Sequence, residues 1–184
     1  MKNKLSQISE NAQIGQNVKI GRFCIVEEDV LIGDNSVVGD HAIILSGTKI
    51  GKNTKIGPFS VIEKNVTIGN NCSFTAYCEI RENCILGQEV SMGSRGTLSA
   101  GTIVEDQVIM KYSFVATDIP VLEKKDLKKA CILKQRSRFG ANVTILPSVT
   151  IGENSEIGAC SQVRNNVPDN EIWYGNPAKF YKKL

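Results

Sequence analysis

The sequence predicts an all-β chain, a parallel β-helix of about eight coils with one long loop and a short C-terminal segment. Three observations predict it. An aliphatic residue recurs at every sixth position, a small or β-branched residue follows it by four, and Asn, Asp or Gly often follows it by three. An amphipathic helix recurs at three to four residues and a half-buried strand at two, so a sustained period of six needs another geometry. In a three-sided prism each hexad is one side, and its buried residue stacks on its copy in the next coil.

The register runs from Ile8 through Ile14, Ile20, Val26 and Ile32 to Val104 and Met110 without a slip. It breaks at 116, resumes at Leu133 and continues through Phe139, Ile145, Ile151, Ile157 and Val163. The expected organisation is a β-helix over 1–168 with a loop excursion over 116–132, then a C-terminal segment over 169–184 packed on the last coil. Small residues such as Ala12, Val18, Ser36, Ala42 and Thr48 complete the core. Cys24, Cys72, Cys78 and Cys84 share that position, so their spacing is the coil period and not a metal motif. Cys131 is expected in the loop and Cys160 at an outward corner, and unpaired thiols suit a reducing compartment.

Two corners carry residues that tolerate left-handed backbone: Asn11, Asp29, Gly47, Asn65 and Asn83 on one, Asn17, Asn35, Asn53 and Asn71 on the next. The third carries Phe23, His41, Phe59, Tyr77, Arg95 and Ser113, an outward stripe roughly 24 Å long at a strand spacing of about 4.8 Å. Such a stripe is read as a contact surface, either a subunit interface that also walls a ligand cleft or an interface alone, with a chance arrangement as the third reading. The loop, leaving between Met110 and Val115, is expected at this same corner, where a rigid scaffold can carry a site.

Composition excludes several classes. With 41% hydrophobic and 22% charged residues the chain is a folded domain, and no segment approaches a membrane span. A cytoplasmic location follows as an expectation. The net charge of +3 and the lack of a basic run interleaved with aromatics argue against nucleic acid. Basic residues do cluster, at Lys124, Lys125, Lys128, Lys129, Lys134, Arg136 and Arg138, and again at Lys179, Lys182 and Lys183.

The chain resembles the hexapeptide-repeat acyltransferases, whose β-helix is left-handed. "ISENAQIGQNVKIGRFCIVEEDVLIGDNSVVG" is similar to the opening of the UDP-N-acetylglucosamine acyltransferases. "VEDQVIM", "RFGANVTILPSVTIGENSEIGACSQV" and "VPDNEIWYGNPAKFY" are similar to acetyl-CoA-dependent N-acetyltransferases of nucleotide-linked amino sugars. The resemblance implies a homotrimer with acetyl-CoA in a groove between neighbouring chains. It places Gly175, Asn176, Pro177 and Lys179 by the adenosine end of the cofactor, with Lys182 and the loop lysines neutralising phosphates. Asp118 stands where many relatives carry Thr-Asn-Asp, although this chain lacks the asparagine. Ser94 stands near a common acceptor-binding asparagine, beside Tyr77 and Arg95 of the stripe.

A hydroxyl acceptor needs a base to take its proton, whereas a neutral amine attacks a thioester unaided. The chain has one histidine, His41. The expected reaction is therefore acetyl transfer to the amino group of a nucleotide-linked sugar, with Asp118 holding the amine and a backbone amide receiving the oxyanion. Two alternatives stay open: O-acetyl transfer with His41 as base, and a scaffold without catalysis. One histidine excludes the three-histidine zinc site of a γ-class carbonic anhydrase, and no metal is expected.

Overall fold

Each hexad spends two residues on a strand and four on a corner, as in Ile25–Val26, Leu31–Ile32 and Val37–Val38. The first strand residue faces outward and the second inward, which is the alternation of any strand cut to its minimum. The computed structural model describes residues 5–118 and 130–184, and its backbone is a left-handed parallel β-helix with no helix among the described residues.

Three flat faces result. Among the described residues the first holds nine strands, from Gln7–Ile8 to Gln162–Val163; the second holds eight, from Gln13–Ile14 to Thr150–Ile151; the third holds ten, from Lys19–Ile20 to the terminal pair Glu171–Gly175 and Ala178–Lys183. Pairing is parallel and in register at steps of eighteen, as in Ile25↔Ile43 and Ile43↔Val61, and at steps of twenty-nine across the insertion, as in Ile103↔Ile132. The ninth coil is completed without hexads. Val167 bridges Ile151 and Trp173 pairs with Ile157, steps of sixteen, and Ala178–Lys183 then folds back antiparallel.

The core is a set of columns. Val26, Ile44, Ile62 and Ile80 form one, and Ile32, Ile50 and Ile68 another, all at most 2% exposed. Cys24, Cys72, Cys78 and Cys84 are buried free thiols at the inward corner position.

The insertion differs from its sequence reading in two respects. Val115–Ala116 keeps the first-face register, pairing with Thr97–Leu98 and Thr144–Ile145, and Ile132–Leu133 keeps the second. The aliphatic pattern lapses at 116 because bulk has moved: Ala116 takes the large position while Phe114, fully buried and packed edge-on against Phe139, fills the small one. The insertion therefore leaves from the corner between first and second faces, that of Asn65, Asn83 and Gly101, and not from the stripe. Cys131, expected in the loop, is an inward residue of the coil, fully buried. Lys124, Lys125, Lys128 and Lys129 lie outside the described residues.

Ile50 is 1% exposed between Ile32 and Ile68, so Ile50→Ala leaves a cavity and costs about 2–5 kcal/mol in urea unfolding. Burial pushes the Cys78 and Cys131 thiols up to about 11 and Cys84 to about 12. Below about pH 8.5, the usual thiol value, both folded and unfolded states hold these protons and the contribution is complete. Above it the unfolded chain ionises first, so stability falls as pH rises toward 11. At pH 8 a disulfide reagent is expected to label the exposed Cys160 in the native protein, and all six cysteines in denaturant.

Candidate functional site

Several corner positions break the pattern of Asn, Asp and Gly that the other corners follow. At the corner between third and first faces, Phe23, His41, Phe59, Tyr77 and Arg95 all adopt φ between 57° and 61°. Bulky side chains are rare in this region, and strain of this kind is retained where function or assembly requires it. Their amides tie successive coils, His41 N–H to Arg22 O at 2.8 Å and Tyr77 N–H to Pro58 O at 3.0 Å. The rings stack: Phe23 on His41 at 5.0 Å, His41 on Phe59 at 4.7 Å and Phe59 on Tyr77 at 5.1 Å between centroids. Both faces of the imidazole are thus covered, and among the described residues no side chain hydrogen-bonds its ring.

The stripe continues onto the first face through Ile25, Ile43 and Val61, which point outward one strand apart. Three predicted acceptor residues sit close along the stripe edge: Tyr77 on the fifth coil, and Ser94 and Arg95 on the sixth. Ser94 Oγ lies 2.9 Å from Thr75 Oγ1. Just above, the exposed Tyr112 and Lys111 border grooves of the third face. Thr75, Lys111 and Tyr112 escaped the sequence reading. Their signal was available, because Thr75 and Lys111 interrupt a column that is otherwise Gly21, Gly39, Gly57, Gly93, Gly140 and Gly158.

Asp118 lies elsewhere. It follows Val115–Ala116 on the seventh coil, at the insertion edge across the first face from the stripe, and is 8% exposed. Thr117 beside it donates through Oγ1 to Ile145 O at 2.9 Å, and Ser99 Oγ donates to Ala116 O at 2.7 Å. Lower on this edge Arg81 Nε lies 3.7 Å from Glu63 Oε2, which accepts the Glu82 N–H at 3.1 Å. Burial first, then the nearby Glu82 carboxylate, raises the Glu63 carboxyl above its ordinary range. Within one chain, then, His41 and Asp118 are on different edges and four coils apart.

The proposed cofactor residues form the terminal hairpin. Asn176 and Pro177 make its turn, Gly175 takes φ +105° and donates its N–H to Ser161 Oγ at 3.0 Å, and Lys179 and Lys182 are exposed. Lys182 Nζ sits 6.0 Å from the Tyr181 ring centroid. The hairpin caps the third face, so it shares a sheet with Ile109–Met110 and Arg138–Phe139. Of the basic cluster, Lys134 pairs with Asp169 at 3.5 Å and Arg136 with Glu153, whereas Arg138 has no acid partner among the described residues. There is no cluster of metal-ligating side chains among the described residues, and no helix among them is long and apolar enough to cross a membrane.

Known proteins share this architecture. The family model described as bacterial transferase hexapeptide (six repeats) matches residues 11–46, 47–82 and 130–165. Over 54 residues the chain is 44% identical to a provisionally named lipopolysaccharide biosynthesis O-acetyl transferase of Escherichia coli K12, covering 29% of this chain and 28% of that protein. Over 67 residues it is 37% identical to a galactoside O-acetyltransferase of Lactococcus lactis, covering 35% and 32%. The matches therefore span less than a third of either relative. LpxA of Acinetobacter baumannii superposes with a TM-score of 0.89 over 98% of this chain and 73% of that one, at 21% identity. LpxA of Bacteroides fragilis, a UDP-N-acetylglucosamine acyltransferase, gives 0.86 over 100% and 74%, at 22% identity. At such identity the likeness is one of fold.

Proposed function

Because this chain belongs to the bacterial transferase hexapeptide (six repeats) family, we propose that it transfers an acetyl group from acetyl-CoA to the amino group of a nucleotide-linked sugar. The amine lone pair attacks the thioester carbonyl, the C–S bond breaks, and the coenzyme A thiolate departs. The proton shed by nitrogen passes to Asp118 and onward to the thiolate. The exposed Lys179 and Lys182 neutralise the donor's phosphates as mobile point charges. Six free cysteines are consistent with the cytoplasmic location that this donor requires.

One observation carries the choice of an amine: the sole histidine is stacked between two phenylalanines, far from the carboxylate and cations that would serve the chemistry. Assembly sharpens this. We infer a cyclic homotrimer whose first faces turn toward the axis, which covers Ile25, Ile43 and Val61 and sets each stripe edge against the next chain's insertion edge. Rotation about an axis parallel to the prism preserves height. Asp118, on the seventh coil, then meets the neighbour's Lys111, Tyr112 and Ser94, on the seventh and sixth. His41 lies four coils lower, roughly 19 Å at the usual strand spacing.

O-acetyl transfer is the second reading, favoured by the names of the two curated relatives and by the exposed imidazole edge of His41. His41→Phe separates the two, since it keeps the stack and removes the base. N-acetyl transfer predicts kcat within a few-fold of wild type on a nucleotide-linked amino sugar; a general base would cost about 10²-fold or more. A 10²-fold loss in a trimeric variant, with turnover of the hydroxy sugar by the wild type, would establish the second reading instead. Phe59→Glu places a charge in the stripe and is expected to elute as a monomer on a sizing column. A persistent trimer would remove the stripe from the interface.

A further inference from the structure

Two grooves on the third face adjoin. One of about 430 Å³ is lined by Ile109, Lys111, Arg138 and Glu156, and the other of about 180 Å³ by Thr75, Ser91, Lys111 and Tyr112. They share Ile109 and Lys111, so one channel runs up the face from the stripe edge toward the terminal hairpin. Ligand sites commonly measure 300–1,000 Å³, which this channel satisfies.

Its residues are out of place for a purely structural surface. The position after each buried third-face residue is glycine in most coils because the next coil approaches it closely. A Cβ at Gly57 would lie 2.3 Å from the Thr75 carbonyl carbon, and one at Gly140 would lie 2.5 Å from Ala159 N. Thr75 and Lys111 hold that crowded position with a side chain. Lys111 also lacks an acid partner among the described residues, as does Arg138, while Arg22, Lys52, Lys134 and Arg136 each have one. Tyr112 is 62% exposed, and a Cβ at Gly93 would come within 3.0 Å of its ring, so that glycine gives the ring its room.

Two cations with no acid partner among the described residues, hydroxyls, one carboxylate and an open aromatic ring match the parts of a nucleoside diphosphate. We propose that this channel binds the nucleoside diphosphate of the acceptor, an assignment that rests on the acetyl-transfer reading above. Lys111 and Arg138 take the phosphate oxygens, Tyr112 stacks on the base, and Glu156 accepts from ribose hydroxyls. Thr75 and Ser91 offer hydroxyls along the floor. The donor's phosphates lie higher, at Lys179 and Lys182 of the hairpin.

Calorimetric titration of the full-length protein with UDP, dTDP, GDP, pyrophosphate and acetyl-CoA tests this, with circular dichroism and sizing as controls of folding. Lys111→Ala should weaken the best-bound nucleotide about tenfold, the worth of a charged hydrogen bond, and leave acetyl-CoA within twofold. Lys179→Ala should do the reverse. Tyr112→Ala should weaken the nucleotide about tenfold and leave pyrophosphate unchanged. The proposal is overturned if no nucleotide binds the wild type, if Lys111→Ala binds it unchanged, or if Lys111→Ala loses nucleotide and acetyl-CoA together, since the channel then belongs to the donor. A wild type that binds nucleotide through Lys111 but not acetyl-CoA would sink the acetyl-transfer reading and leave the channel standing.

Discussion

Each coil of the prism stacks its residues on their counterparts in the next, eighteen positions later except across the insertion, where the step is twenty-nine, and at the last coil, where it is sixteen; nearly everything else in the structure is a consequence of that stacking. Parallel strands of two residues have little pairing of their own, so stability comes from neighbours in columns rather than from any one coil. The columns demand constant side-chain volume at each level and a left-handed backbone residue at most corners, which Asn meets at Asn17, Asn35, Asn53 and Asn71. They also forbid a Cβ wherever the next coil presses close. Freedom remains at outward positions of the corners and of the strands, and there the chain has placed aromatic, basic and acidic side chains.

The same rule decides what could be read from residues alone. Inward columns and the stripe follow directly from counting by six and eighteen, and that count by itself puts Tyr77, Ser94 and Arg95 on one edge. Exchange of bulk between Phe114 and Ala116 hid one hexad, and that single miss moved the insertion to the wrong corner and Cys131 out of the coil. The final coil lacks hexads, so its closure by Glu171–Gly175 has no periodic signal. Lys111 and Thr75 were legible as interruptions of a glycine column, yet their meaning needs the distances that make glycine necessary there. The sequence groups Lys134, Arg136 and Arg138 together; only the partners Asp169 and Glu153 distinguish the paired cations from Arg138, which has no acid partner among the described residues.

In the proposed trimer, height along the prism becomes a functional coordinate. Residues on different edges of one chain cannot meet, but cyclic assembly joins edges at equal height. On this account the stripe edge contributes acceptor binding, the insertion edge contributes Asp118, and the third face leads from the acceptor's phosphates to the donor's. In the proposed trimer the low-lying aromatic stack of Phe23, His41 and Phe59 holds the chains together, a role that matches the unfavourable backbone region those residues occupy.

The central claim is that a working site joins two chains, with the channel from one and Asp118 from the next. Mixed trimers test it most directly. Lys111→Ala and Asp118→Asn chains, each impaired as a homotrimer, would be co-expressed with separate tags and the doubly tagged trimers assayed for acetyl transfer. A shared site predicts recovery of about a third of wild-type activity, because any cyclic trimer holding both kinds of chain pairs an intact channel with an intact Asp118 at one of its interfaces. Mixed trimers no more active than either parent would show that both residues serve a site within one chain, and would contradict the account.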